Sequence, residues 1–278
     1  MLAEVLRLLN PDRSGSMTTY VLVHGAWHGG WCWSRVRRAL MATGSDVYTP
    51  TLTGLGERAH LASREVDLET HIGDVLGMLE AEDLTDIILV GHSYAGVVIT
   101  AVADRAAQKI AHLVYLDAAV PRDGQCLYDC VPTQLKTHVE GHATLGGEGW
   151  RVPVAAASAQ FLGLKREEDV RWVMPKLTPH PIRTFRETVQ LGSKLAPAPR
   201  TYINCIGDKA LGQPKPRQAD GIDDYHELRT GHDAMVTAPQ DLADLLSKVA
   251  ETASDSVQSR AAADATSGPL GKLSHRHR

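Results

Sequence analysis

The order of apolar runs constrains this chain more than any other feature. Strand-like runs at 20–24, 46–49, 87–90 and 112–116 alternate with helical stretches at 34–42, 68–81 and 94–105. A strand, a helix and a second strand in succession make a crossover that returns the chain parallel to where it began. The alternation therefore predicts an α/β domain: a mostly parallel sheet of about six strands with helices on both faces. Asp67 or Thr70 suits the cap of the 68–81 helix, which places Ile72, Val75, Leu76 and Leu79 on one face. From 121 to 199 the alternation is lost among eight prolines and a glycine-rich patch at 141–149, as in an inserted cap. It resumes at 200–206 and 225–228 and ends in a helix at 239–250. The expected organisation is an N-terminal appendage at 1–17, a core at 18–120 and 200–252, a cap at 121–199 and a disordered tail at 253–278. Met17 is a candidate alternative start.

With 278 residues, 43% hydrophobic and 22% charged, the chain can bury a substantial core. A net charge of −4 supplies no basic field for a phosphate backbone, which argues against nucleic acid as a partner. No apolar run is long enough to span a bilayer, and the leucine-rich start, carrying Glu4 and Arg7, does not read as a signal peptide. Both point to a cytoplasmic protein that acts on a small molecule. The cysteines Cys32, Cys126, Cys130 and Cys205 have no histidines at zinc-site spacing and are expected as free thiols. His275 and His277 in the tail are expected to be solvated rather than metal-bound.

Within 87–99, one apolar run ends at Gly91-His92-Ser93-Tyr94-Ala95 and a second begins. A serine on a sharp strand-to-helix turn needs small residues two before and two after it, and Gly91 and Ala95 meet that need. Ser93 is thus a candidate nucleophile, the competing reading being a serine that merely caps a helix. A serine hydroxyl needs a base, and the base an acid, in the order serine, acid, histidine for such a fold. Of thirteen histidines, His232 lies just beyond the last strand, in Thr230-Gly231-His232-Asp233. His24, His92 and His112 read as packed side chains. Asp208, after the 200–206 strand, is the leading acid, and Asp117, after the 112–116 strand, is its rival. Asp223 and Asp224 read as a solvated turn.

An oxyanion requires two convergent backbone donors: Tyr94 N–H, next to the nucleophile, and Ala26 N–H, from the glycine-rich loop after the first strand. That loop lacks the lysine and hydroxyl residue of a phosphate cradle. These groups account for attack, proton transfer and charge stabilisation, so no cofactor and no metal is expected.

Together, His24-Gly25-Ala26-Trp27-His28-Gly29-Gly30-Trp31, Gly91-His92-Ser93-Tyr94-Ala95-Gly96 and Thr230-Gly231-His232-Asp233 resemble the α/β-hydrolase group of bacterial carboxylesterases, plant methylesterases and hydroxynitrile lyases. Thr51-Leu52-Thr53-Gly54-Leu55-Gly56-Glu57-Arg58 and Tyr115-Leu116-Asp117-Ala118-Ala119-Val120-Pro121 resemble its bacterial esterases, including pyrethroid-hydrolysing ones. The resemblance spans 18–250 and implies the α/β-hydrolase fold. The lyases of the group carry lysine after the histidine and threonine after the first histidine of the oxyanion loop. Asp233 and Gly25 stand there instead, which favours an esterase acting on a hydrophobic ester. Ala95 departs from the stricter glycine and adds a methyl at a crowded spot. Trp27, Trp150, Phe161 and Trp172 are the expected substrate contacts, with Phe185, Leu127, Leu135, Leu162 and Leu164 also available to line a pocket or to form cap core. A carbon–carbon lyase and a ligand receptor on the same scaffold are the alternatives.

Overall fold

The computed structural model describes residues 17–155, 158–192, 198–207 and 221–266. Six strands form one sheet: β1 (Thr19–Val23), β2 (Asp46–Tyr48), β3 (Ile87–His92), β4 (Ile110–Leu116), β7 (Arg200–Cys205) and β8 (Asp224–Leu228). A separate antiparallel pair, β5 (Arg151–Val152) and β6 (His180–Pro181), lies in the chain between β4 and β7. The order in the main sheet is β2-β1-β3-β4-β7-β8, and every pairing in it is parallel. The helices are α1 (Ser34–Ala42), α2 (Leu68–Ala81), α3 (Ala95–Arg105), α4 (Thr133–Gly146), α5 (Ser158–Phe161), α6 (Glu167–Val173), α7 (Arg183–Arg186), α8 (Ala234–Thr237) and α9 (Pro239–Thr266).

β3 is buried at all six positions because helices cover both faces of the sheet, and its unbroken apolar run Ile87-Ile88-Leu89-Val90 reflects that burial. Two apolar clusters result. One joins Val21, Leu89 and Val98 with Ile72 and Val75 of α2, and the other joins Leu22, Val90 and Ile203 with Leu40 of α1 and Leu246 of α9. Asp67 caps α2, its Oδ1 accepting from Thr70 N–H at 2.8 Å. The last helix runs beyond the expected end at 250 to Thr266. The tail composition that suggested disorder is alanine-rich over Arg260-Ala261-Ala262-Ala263, and alanine is the strongest helix former.

The strand order reverses between β1 and β3. In an open parallel sheet, ligands bind outside the carboxyl ends of the strands at such a reversal. Register sets what meets there: Val23 pairs with Gly91, and His92 pairs with Leu116. The loop after β1, the turn after β3 and Asp117 after β4 therefore emerge side by side.

Candidate active site

Ser93 has a φ of 57°, a left-handed conformation that costs a non-glycine residue of order 1–3 kcal/mol. The surroundings impose it. Ser93 N–H donates to Leu116 O at 3.1 Å, and Ser93 O accepts from Ala119 N–H at 3.1 Å and Gly96 N–H at 3.2 Å. The crowded positions around this turn are Gly91 and Gly96 rather than 95. A Cβ on Gly91 would stand 2.8 Å from Ile99 Cδ1, and one on Gly96 would overlap the Ala119 carbonyl oxygen. The Ala95 methyl is fully buried in the first apolar cluster, so the departure from glycine there is accommodated as core.

His232 lies in the loop between β8 and α8. Its Nε2 accepts from Ser93 Oγ–H at 2.9 Å, and its Nδ1–H donates to Asp117 Oδ2 at 2.7 Å. The tautomer follows from the partners: a carboxylate can only accept, so Nδ1 carries the proton and Nε2 is left basic. The carboxylate brought to His232 is that of Asp117, the rival in the sequence reading. Asp117 has a φ of 44° and is fastened by its N–H to Ile203 O at 2.8 Å. Asp208, the leading expectation for the acid, lies outside the described residues.

The loop after β1 closes over the nucleophile. A Cβ on Gly25 would stand 2.8 Å from His92 Nδ1 and 3.0 Å from Ser93 Cβ, so only glycine permits this approach. Trp27, with a φ of 65°, donates its N–H to His180 Nδ1 at 3.3 Å and its indole N–H to Val152 O at 3.1 Å. Trp27 N–H is thus committed to His180. Tyr94 stands at the N-terminal cap of α3, where backbone N–H groups favour developing negative charge. Its hydroxyl donates to His71 Nδ1 at 2.9 Å, and His71 Nε2–H donates to Thr53 O at 2.9 Å.

Several buried histidines surround these loops, and most are neutral. Burial pushes His24 down to about 3, His71 to about 4 and His92 to about 3, with His180 also lowered. They serve as fixed hydrogen-bonding plates. His24 Nε2 accepts from Leu52 N–H at 3.0 Å, and His92 Nε2–H donates to His232 O at 3.0 Å. The packed role expected for His24 and His92 thus holds, and both also fix loops at the site. His28 differs. Its Nδ1 meets Ala26 O at 2.8 Å and its Nε2 meets Asp233 Oδ2 at 3.0 Å, with both residues buried. Sequence reasoning missed His28, and its pairing with Asp233 spans 205 positions. The one available signal was a second histidine in the loop. Asp233, which stands where the lyases carry lysine, turns into the interior.

A cavity of about 40 Å³ adjoins Ser93, with Trp27, Tyr128 and Phe185 in its wall. A larger cavity of about 400 Å³ shares Trp27, Leu135, Val139 and Phe161 with it and adds His138 and His142. Phe161 also lies 5.3 Å from the His232 ring. The other two expected contacts are engaged elsewhere. Trp172 packs edge-on to Trp31 at 5.5 Å with Arg35 and Lys176 over its ring, and the Arg64 and Arg151 guanidinium groups lie over the Trp150 ring at 5.8 and 5.1 Å. Both are flat surfaces for cations rather than walls of the Ser93 cavity. Leu162 and Leu164 are core, in the second apolar cluster. All four cysteines are free thiols. Among the described residues, no helix is long and apolar enough to cross a membrane.

Comparison with known proteins bears on the family and the reaction class. The chain is 43% identical over 242 residues to a carbendazim hydrolyzing esterase of Nocardioides sp. (strain SG-4G), covering 83% of this chain and 98% of that protein. It is 25% identical over 260 residues to putative methylesterase 14, chloroplastic, of Arabidopsis thaliana, covering 87% and 75% of the two chains. Among solved structures, an extracellular alpha/beta-hydrolase from a Paenibacillus species, described as sharing structural and functional homology with tobacco salicylic acid binding protein 2, superposes with a TM-score of 0.75 at 26% identity, over 83% and 98% of the chains. The model of the alpha/beta hydrolase family matches residues 20–245, and the chain is an enzyme of that family.

Proposed function

We propose that this enzyme is a serine carboxylesterase that hydrolyses hydrophobic carboxylic esters through an acyl-enzyme on Ser93. The observation that carries the reading is the hydrogen-bonded line Ser93 Oγ, His232 Nε2, His232 Nδ1, Asp117 Oδ2 at 2.9 and 2.7 Å. As Ser93 Oγ attacks the ester carbonyl, its proton passes to His232 Nε2, and Asp117 stabilises the imidazolium that forms. The carbonyl oxygen becomes an oxyanion received by the N–H groups of Ala26 and Tyr94. His232 then returns the proton to the departing alcohol, leaving the acyl group on Ser93. Water, deprotonated by the same nitrogen, releases the acid and restores the serine. The apolar walls supplied by Trp27, Phe161 and Phe185 support a hydrophobic group on the ester. The esterase names of the Nocardioides and Arabidopsis relatives support the reaction class.

A second reading concerns the acid alone. Ile206 N–H and Gly207 N–H donate to Leu228 O at 2.9 Å and Thr230 O at 2.8 Å, so Gly207 lies beside the histidine loop. That keeps Asp208 as the alternative to Asp117.

Incubation with a slowly deacylated p-nitrophenyl ester should add one acyl mass to the peptide containing Ser93. Ser93→Ala should abolish that adduct and lower kcat by about a million-fold. Wild-type turnover in Ser93→Ala would overturn the proposal, and turnover of an ester without any adduct would favour a route that forms no acyl intermediate.

A further inference from the structure

We propose that His28 is an imidazolium at neutral pH and that its buried pair with Asp233 positions the oxyanion loop against the histidine loop. This rests on the esterase reading only for its kinetic consequence, since the ion pair itself follows from the geometry.

His28 Nδ1 faces the Ala26 carbonyl oxygen and Nε2 faces the Asp233 carboxylate. A carbonyl oxygen can only accept, so Nδ1 carries a proton. An ionised carboxylate also only accepts, so Nε2 carries one as well, and the ring is a cation. The alternative leaves that second proton on Asp233 and makes the pair neutral. Three features favour the charged form. The His28 ring is stacked on Trp31 at 5.5 Å and 29°, a face that attracts cations. Asp233 is 0% exposed and His28 1%, so neither charge is tolerable without the other. Burial alone would pull His28 down and Asp233 up, but the attraction between them outweighs it, raising the one and lowering the other.

The titratable groups around the pair do not compete for its charge. His24 after β1 and His92 at the end of β3 are held neutral by burial. The Cys32 thiol, in the turn before α1, is pushed well up and stays protonated. His232 is tied through Nδ1 to Asp117.

The pair joins two loops that the reaction needs in register. His28 lies two residues after the donor Ala26 and holds its carbonyl. Asp233 follows the base His232, and its N–H donates to Leu162 O at 2.9 Å. Pairing Asp233 with a cation also keeps an uncompensated anion away from the place where the oxyanion develops. Misplacing reacting groups by about 1 Å can cost about a hundredfold in rate.

The test uses the full chain with 15N-labelled histidine. At pH 8, NMR should show one imidazolium ring with both nitrogens protonated, identified as His28 by its absence in His28→Gln, against neutral rings for His24 and His92. Asp233→Asn should remove that signature and lower kcat about ten- to a hundredfold while KM stays within threefold. Asp233→Glu should restore part of the loss. A neutral His28 at pH 8, or kcat in Asp233→Asn within twofold of wild type, would overturn the proposal. If Asp233→Asn does not fold, the wild type decides: kcat should fall as the His28 signal titrates at high pH, and a flat kcat through that titration would sink the positioning role. Stability follows the same signs. The His28 contribution is complete below the unfolded imidazole pKa of about 6.5 and is lost as pH rises through the raised folded value. The Asp233 contribution is complete above about 3.9 and is lost as pH falls through the lowered one. Labelling Ser93 with a fluorophosphonate checks the esterase reading separately, because its failure in the wild type would leave the ion pair standing.

Discussion

The loops at the carboxyl ends of β1, β3 and β4 and the chain between β4 and β7 both face Ser93, but they are held by different means. The strand-end loops inherit their positions from parallel register: Val23 beside Gly91 and His92 beside Leu116 bring Ala26, Ser93 and Asp117 together almost without freedom. Glycine allows the closest approaches, at Gly25, Gly91 and Gly96. The intervening segment has a two-residue antiparallel pair and short helices. It is anchored by scattered contacts, such as Trp27 indole N–H on Val152 O and Asp233 N–H on Leu162 O. On the proposed function, chemistry is built on the stiff part and ligand fit on the irregular one, which divides catalytic precision from substrate choice.

That division can be broken most forcefully at the acid. Asp117→Asn should lower kcat by about ten-thousand-fold, since an amide no longer holds the productive tautomer, while Asp208→Asn should cost less than tenfold. Steady-state kinetics on the two variants decides, and the reverse order would move the acid from the end of β4 to the loop after β7. A smaller effect should follow from the rigid part alone. Gly96→Ala drives a methyl into the Ala119 carbonyl and should destabilise the fold by about 1–3 kcal/mol. Calorimetry should then show a Tm loss of several degrees, and an unchanged Tm would mean the turn is softer than its contacts imply. The smallest effect belongs to the irregular segment. Phe161→Ala should raise KM for bulky esters by about tenfold with kcat nearly intact, whereas Trp172→Ala should lower Tm and leave KM alone. If the two variants changed KM equally, both tryptophan and phenylalanine would belong to the binding wall.

The fold and the nucleophile were legible for local reasons. Apolar runs of strand length, the capped α2 helix and the small residues around Ser93 each act over a few positions, and the structure reproduces α1 and α2 at their expected bounds. The acid was less legible. Asp117 and Asp208 both follow strands that end at the same edge of the sheet, and nothing local says which carboxylate turns toward a histidine more than a hundred residues away in Asp117's case. Aromatic content alone suggested Trp150 and Trp172 as ligand contacts, but a large ring serves equally well as a seat for arginine and lysine.

The sequence by itself determined the α/β alternation, the strained turn at Ser93, the glycine-rich loop that carries Ala26 and Trp27, and the histidine beyond the last strand. These depend on periodicity and on which side chains a bend can tolerate. Only the tertiary structure decided that Asp117 meets His232, that Trp27 and Phe161 face the cavity, and that Asp233 turns inward to His28. Those outcomes depend on strand order, register and the charge balance of a buried interior, which are properties of the assembled sheet.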